Sequence, residues 1–86
     1  METIVMNDVA VFDHINELSA EEERLFAEAS DGSGLSTAAT ERLAEIKVEL
    51  DRCYDLLHQR QARRAAGLDP DEAELRPAEV VERYQQ

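Results

Sequence analysis

The stretch VELDRCYDLLHQRQARR, residues 48–64, decides the fold through the spacing of its apolar side chains. They recur at intervals of three and four, which places them on one face of an α-helix. The same interval extends in both directions, which predicts a helix over about residues 37–66. A single face of this kind is typical of a helix that packs side by side with another, as in a coiled coil. The residues of this face are Ala39, Leu43, Ile46, Leu50, Cys53, Leu57, Arg60 and Arg64.

An earlier segment has the same interval and predicts a first helix over about residues 8–29. Its face consists of Val11, Ile15, Leu18, Glu22, Leu25 and Ala29. The two faces together are called the seam. Residues 30–36, SDGSGLS, hold two glycines and no apolar period, which predicts a tight loop that returns the chain antiparallel. Asn7 and Ser36 are suitable N-caps for the two helices. The sequence therefore predicts one all-α domain over residues 1–86, an antiparallel helical hairpin.

The last segment, residues 67–86, predicts a short helical tail. Gly67 suits the left-handed position that ends many helices. Asp69 followed by Pro70 predicts the N-cap and first residue of a short helical turn. A second turn is expected after Pro77, with Val80, Val81 and Tyr84 on one of its sides.

The apolar stripe of the hairpin is wider than a two-helix seam requires. Phe12 and Phe26 flank the seam of the first helix, and Tyr54 and Leu56 flank that of the second. A stripe of this width is typical of three- and four-helix bundles. We therefore expect two hairpins to pair across a twofold axis as a homodimeric four-helix bundle. The alternative is a monomer whose tail folds back as a third layer.

The charge and composition of the chain argue against some classes of partner. The formal net charge of −11 on 86 residues repels phosphate backbones and anionic membrane surfaces, so neither nucleic acid nor a membrane is expected as a partner. No stretch has the roughly 18 apolar residues of a membrane span, and the N-terminus lacks a secretory pattern. The single cysteine excludes an internal disulfide. These features indicate a cytoplasmic protein.

Two seam residues are candidates for chemistry. Cys53 is expected to pack as a small apolar side chain, because burial raises the pKa of a thiol and makes it unreactive. Glu22 interrupts the seam of the first helix and is expected to pair with a base such as Lys47. Neither residue predicts catalysis, and we expect that the protein is not an enzyme.

Asp55 and His58 form a D-x-x-H step that is similar to a metal-ligand motif of di-iron helical bundles. The helical phase places both side chains off the seam, facing solvent. The sequence therefore predicts no metal site and no cofactor. A metal- or anion-binding module assembled across a dimer, using Asp55, His58 and His14 or the arginines, is the alternative function.

Arg60, Arg63 and Arg64 form the one basic cluster. In an antiparallel hairpin they lie level with the start of the first helix, where Asp8 and Asp13 are expected to face them. Such pairs set the register of the helices and complement the helix macrodipoles. The other reading of the cluster is a docking site for an acidic partner or phosphate.

Residues 48–64, together with Gly67, the turn DPDEA at 69–73 and the ending RPAEVVERYQQ at 76–86, resemble a family of short actinobacterial proteins known as domain of unknown function 2630. The resemblance covers about residues 6–86, and it implies that residues 1–5 precede the usual start of family members. This chain departs from the pattern in having Tyr54 where tryptophan is frequent, and His58 and Gln61 where arginines are common. The resemblance implies no catalytic residue.

The sequence thus predicts a small cytoplasmic regulatory or protein–protein interaction module that acts through helical packing, as a homodimer or with an unidentified protein partner. The residues expected to carry the interaction are Phe12, Phe26, Tyr54, Leu56, Arg60, Arg63, Arg64, Val80, Val81 and Tyr84.

Overall fold

The computed structural model describes residues 7–30, 32 and 34–84, leaving out the side chains of residues 83 and 84. Its elements are helix α1 (Asp8–Ala29), helix α2 (Thr37–Ala65), a 3₁₀ turn (Pro70–Glu72) and helix α3 (Ala78–Tyr84). No strand occurs within these residues, so the prediction of an all-α protein is confirmed. Residues 1–5 lie outside the described part. None of the helices within that part is both long and apolar enough to cross a bilayer.

Side-chain caps begin the two long helices where the sequence predicts them. Asn7 Oδ1 accepts a hydrogen bond of 2.9 Å from the backbone N–H of Ala10. Ser36 Oγ accepts one of 3.0 Å from the N–H of Ala39. Each cap satisfies a backbone donor that has no partner within its helix.

Helix α2 ends at a glycine in the left-handed conformation. Gly67 has φ +76°, a value that favours glycine because it has no Cβ atom. The backbone N–H of Leu68 donates to the carbonyl of Arg63 at 2.8 Å, and that of Gly67 donates to Arg64 at 3.1 Å. This pair of bonds defines a Schellman cap, which satisfies the last carbonyls of α2 and turns the chain back.

Two ion pairs show that α1 and α2 run antiparallel. Near the loop, Arg42 Nε lies 2.6 Å from Glu21 Oε2. At the other end, Arg60 Nε lies 2.5 Å from Asp8 Oδ1. The start of each long helix is thus beside the end of the other.

The core lies along the line of contact between the two long helices. Its buried residues are Val11, Ile15, Leu18, Ile46, Cys53, Leu56 and Leu57. All except Leu56 are predicted seam residues, so the three–four interval identifies the contact surface of both helices. Leu25 and Leu50 pack against this core while half-buried. None of the seam residues nearest the loop is fully buried, so burial is weaker there: Leu25, Ala29, Ala39 and Leu43.

The C-terminal segment, residues 69–84, folds back along α2. Arg52 Nε donates to the carbonyl of Arg76 at 3.0 Å, and Gln59 Nε2 donates to the carbonyl of Glu74 at 2.9 Å. Both the 3₁₀ turn and α3 pack against α2. The single chain therefore adopts the third helical layer that the sequence allowed as an alternative.

This layer corrects the expectation for Leu56, which was predicted to widen an open stripe. Leu56 is 2 % exposed and lies between Arg52 and Gln59, two of the side chains that bind the C-terminal segment. It is covered within its own chain because that segment packs on the same side of α2.

Candidate interaction surface

Three aromatic side chains remain half-exposed on the hairpin. They are Phe12, Phe26 and Tyr54, with exposed fractions of 52 %, 53 % and 47 %. Each comes one position after a seam residue in the chain. One position is a rotation of about 100° around a helix, and in an antiparallel pair this rotation leads to the same side of both helices. The three aromatic residues therefore share one face.

The C-terminal segment occupies the opposite face. Arg52, Leu56, Gln59 and Arg63 each come one position before a seam residue of α2, a rotation of about 100° in the other direction. The contacts to the C-terminal segment are made on this side. The segment therefore leaves the aromatic residues uncovered.

The surface that carries the aromatic residues is poor in charge. We define the aromatic face as Phe12, Ser19, Glu22, Phe26, Leu43, Lys47, Leu50 and Tyr54. These residues include one acid and one base, and two further acids that each follow a seam residue, Glu23 and Asp51, lie at the edge of the face. The centre of the aromatic face is therefore mostly apolar and its rim is charged, which is the arrangement of many interfaces.

Arg60 joins three parts of the chain from a buried position. It is only 3 % exposed, although it is charged and the buried seam residues near it are apolar. Its Nε atom donates to Asp8 at the start of α1. Its Nη1 atom donates to the carbonyl of Pro70 and lies 3.0 Å from Asp71 Oδ1. The hydrogen bond to Asp8 is the main cause of the raised pKa of Arg60.

The other two arginines of the basic cluster form ion pairs with different parts of the chain. Arg64 lies 2.6 Å from Asp8, as expected. Arg63 instead lies 2.6 Å from Glu72 of the 3₁₀ turn, because it points to the side where the C-terminal segment folds back. The expectation that Asp13 faces the cluster is wrong, since its side of α1 is exposed.

Asp55 is not directed to solvent, which corrects a second expectation. Its carboxylate accepts hydrogen bonds from both Nε and Nη2 of Arg76, and one of 2.9 Å from Gln59. The bond from Arg76 is the main cause of the lowered pKa of Asp55. His58 is exposed, as predicted.

The contacts of Asp55 are relevant to the metal-ligand motif that Asp55 and His58 resemble. The carboxylate of Asp55 is already held by a guanidinium group. Within the part of the chain that the structure describes, no group of three or more histidine, cysteine, aspartate or glutamate side chains is arranged to hold a metal ion.

The interhelical ion pair near the loop uses different residues from those predicted. Glu22 was expected to pair with Lys47, but the pair is formed by Glu21 and Arg42, at 2.6 Å and 2.7 Å. Hydrogen bonding to Arg42 lowers the pKa of Glu21. Lys47 points away from the hairpin with its side chain 73 % exposed, and lies 3.9 Å from Asp51 on its own helix.

Cys53 lies in the core with 2 % of its surface exposed. Burial raises the pKa of its thiol, so the thiolate, which is the nucleophilic form, is disfavoured. The expected role of Cys53 as a packing residue agrees with this position.

A groove of about 640 Å³ is lined by residues of α1 and α2. Its walls are His14, Leu18, Arg42, Ala44, Glu45, Val48 and Glu49. Arg42 is already engaged by Glu21 and Glu45. Four of these seven residues come one position before a seam residue, which is the side of the hairpin opposite the aromatic face: His14, Arg42, Glu45 and Glu49.

The three tail residues predicted to interact have different positions. Val81 is 2 % exposed and packs within its own chain, whereas Val80 is half-buried. The side chain of Tyr84 lies outside the described residues. Val81 is therefore part of the third helical layer and not of a free surface.

The sequence analysis did not predict which side of α2 binds the C-terminal segment, although the residues of that side form a pattern. Arg52, Leu56, Gln59 and Arg63 are spaced by four, three and four residues, which is a second helical stripe beside the seam. Three of its members are polar, so a search for apolar periodicity does not find it.

Comparison with known proteins agrees with the resemblance noted from the sequence. A family model with the description "Protein of unknown function (DUF2630)" matches residues 7–86. An uncharacterised protein of Mycobacterium bovis is 46 % identical over 71 residues, which are 83 % of this chain and 82 % of that protein. An uncharacterised protein of Mycobacterium tuberculosis matches with the same identity and coverage. No solved structure matches.

Proposed function

We propose that this chain, which belongs to the DUF2630 family, is a protein–protein interaction module that acts through helical packing and forms a homodimer. In the dimer, the aromatic faces of two hairpins pack together, and the four long helices form a bundle. The C-terminal segments lie on the outside. We place this regulatory or adaptor module in the cytoplasm, on the grounds of its single buried cysteine.

The observation that carries the proposal is the exposure of three aromatic side chains on one face. Half of the surface of Phe12, Phe26 and Tyr54 is in contact with water, and leaving aromatic surface exposed costs free energy. Aromatic residues are enriched at protein interfaces for this reason. Packing against a second apolar face removes the cost.

Charge favours a second copy of this chain as the occupant. With a net charge of −11, two molecules repel each other over most of their surfaces. The centre of the aromatic face is an exception, because Glu22 and Lys47 are one acid and one base there, and the further acids Glu23 and Asp51 lie at its edge. It is thus a surface on which two copies can meet without juxtaposing an excess of negative charge.

The proposal assigns no catalysis to this protein. The thiol of Cys53 is buried, and burial raises its pKa. The carboxylate of Asp55 is bound to the guanidinium group of Arg76. These side chains support a role in packing rather than in chemistry.

The experiment is to measure molar mass by size-exclusion chromatography with light scattering. The unaltered chain is expected at about twice 9.7 kDa. The variant Phe12→Ser, combined with Tyr54→Ser, is expected to shift toward the monomer mass. The matched control is Leu68→Ser, which removes an apolar side chain with 54 % exposure outside the aromatic face, and it should remain dimeric.

Circular dichroism of each variant verifies that the helices are retained. A mass of 9.7 kDa for the unaltered chain at all concentrations contradicts the proposal. So does a dimer that persists in the double variant but dissociates in the control.

A further inference from the structure

We infer that the twofold axis of the dimer runs parallel to the helices, and that Glu22 of each chain forms an ion pair with Lys47 of the second copy. This inference rests on the proposed function, because it requires that the aromatic faces of two hairpins meet. It adds the orientation of the two chains and the residues that determine it.

The first step is the register of α1 against α2. Asp8 contacts Arg60 and Arg64, and Glu21 contacts Arg42. These contacts fix which residues of the two antiparallel helices lie at the same height.

By this register, three pairs on the aromatic face lie at the same height to within about one turn, or ~5 Å. Each pair has one member on α1 and one on α2. The pairs are Phe12 with Tyr54, Glu22 with Lys47, and Phe26 with Leu43.

Two twofold arrangements bring the aromatic faces together, since the axis must lie in the plane between them. If the axis is parallel to the helices, α1 of one chain packs on α2 of the second copy without any change in height. If the axis is perpendicular to the helices, α1 packs on α1 of the second copy, and α2 packs on α2, each running antiparallel to its mate.

The parallel axis produces complementary contacts along the whole interface. It places Phe12 against Tyr54 of the second copy, and Phe26 against Leu43 of the second copy. Between these apolar contacts, Glu22 faces Lys47 of the second copy, and symmetry repeats the ion pair. The two charges of the aromatic face are then both neutralised inside the interface.

The perpendicular axis produces a repulsive contact. Its most apolar version packs Phe12 on Phe26 of the second copy, with the axis passing near Ser19, which lies midway between them in the sequence. Lys47 lies at nearly the height of Ser19 by the same register. The axis therefore brings Lys47 close to Lys47 of the second copy, a like-charge contact that Asp51 beside each lysine offsets only in part. The parallel axis instead places an acid opposite each lysine, which favours it.

The positions of Glu22 and Lys47 within the single chain agree with the parallel axis. Glu22 occupies a seam position that is otherwise apolar, is half-buried, and takes part in none of the ion pairs found among the described residues. The Lys47 side chain extends outward with 73 % of its surface exposed. An ion pair between chains gives Glu22 a base that it does not contact within the described hairpin, and gives Lys47 a second acid besides Asp51 of its own helix.

The test uses charge reversal and mixing of two variants. Glu22→Lys and Lys47→Glu each place two like-charge contacts in the homodimer, and each should dimerise roughly tenfold more weakly. When the two variants are mixed, the heterodimer restores both ion pairs. With one variant labelled with ¹⁵N, native mass spectrometry should show more heterodimer than the statistical half.

The matched control mixes Glu28→Lys with Arg24→Glu, which reverse an exposed acid and an exposed base of α1 away from the aromatic face. This mixture should give the statistical proportion. If Glu22→Lys fails to fold by circular dichroism, the second comparison is Lys47→Glu with and without Glu22→Gln. The added change should strengthen the dimer because it removes the like-charge contact.

The outcomes separate this inference from the proposed function. An excess of heterodimer supports the parallel axis and the ion pair between chains. Statistical mixing of stable dimers overturns the inference and leaves the homodimer in place, and it is also the result if Glu22 and Lys47 pair only within one chain. A monomeric unaltered chain overturns both.

Discussion

At the scale of single residues, the most consequential side chain is Arg60. The three–four interval places it on the seam, where its neighbours are apolar, and the structure buries its guanidinium group between Asp8, Asp71 and the carbonyl of Pro70. A buried charge is tolerated when its hydrogen-bond donors are satisfied. Arg60 therefore links α1, α2 and the 3₁₀ turn at one point.

Replacing this residue tests that role. Arg60→Ala is expected to lower the free energy of unfolding by about 2–3 kcal/mol, because the hydrogen bonds to Asp8 and to Pro70 are lost together and a cavity is left. The measurement is urea unfolding followed by circular dichroism at one fixed chain concentration. Arg24→Ala, which removes an exposed arginine of α1, is the control and should change stability by less than about 0.5 kcal/mol. Equal effects of the two variants would contradict the role of Arg60.

The seam residues show what the sequence determines at this scale. Val11, Ile15 and Cys53 are buried where the interval predicts, because helical geometry alone decides which side chains share a face. The environment of Asp55 was not predictable in this way. It depends on Arg76, which is 21 residues away in the chain, and no local spacing encodes that contact.

At the scale of elements, the C-terminal segment is attached to α2 largely by polar contacts. Arg63 binds the 3₁₀ turn, Gln59 binds the carbonyl of Glu74, and Asp55 binds Arg76. Among the described side chains of this segment, Val81 is the most buried apolar one, and Ala73 packs against the core. The two long helices follow from apolar periodicity, whereas the path of this segment follows from individual polar pairs, which is why the sequence left two alternatives for it.

This attachment predicts a dependence on pH. The pKa of Asp55 is lowered in the folded chain, so the unfolded chain binds a proton at higher pH than the folded chain does. Its contribution is therefore complete above the ordinary aspartate pKa of about 4 and is lost as pH falls through the lower folded value. Asp8 and Glu21 act in the same direction.

Asp55→Asn isolates the effect of one carboxylate from the general change in net charge. Melting temperatures of the unaltered chain and the variant are measured from pH 7 to pH 2. The variant should melt lower at pH 7, and the difference should shrink as pH falls, since protonation removes the same charge from the unaltered chain. Asp13→Asn, at an exposed position, is the control. A difference that is constant over the whole range would contradict the role of Asp55.

At the scale of the whole molecule, the hairpin has two unlike faces. One is covered by the C-terminal segment, and the other keeps Phe12, Phe26 and Tyr54 half-exposed. The sequence predicted an apolar stripe too wide for a two-helix seam, and the structure covers only part of that stripe within the single chain. Leu56 is covered within the chain, whereas the three aromatic residues are left for a second chain, which is the basis of the proposed dimer.

The most direct measurement of this central claim is an isotope-filtered nuclear Overhauser experiment on a mixture of ¹³C-labelled and unlabelled chains, because it detects only contacts between different chains. If two hairpins pack through their aromatic faces, cross-peaks between chains are expected from the rings of Phe12, Phe26 and Tyr54. Cross-peaks between chains that arise only from the groove beside Val48, or none from the aromatic rings at millimolar concentration, would contradict it.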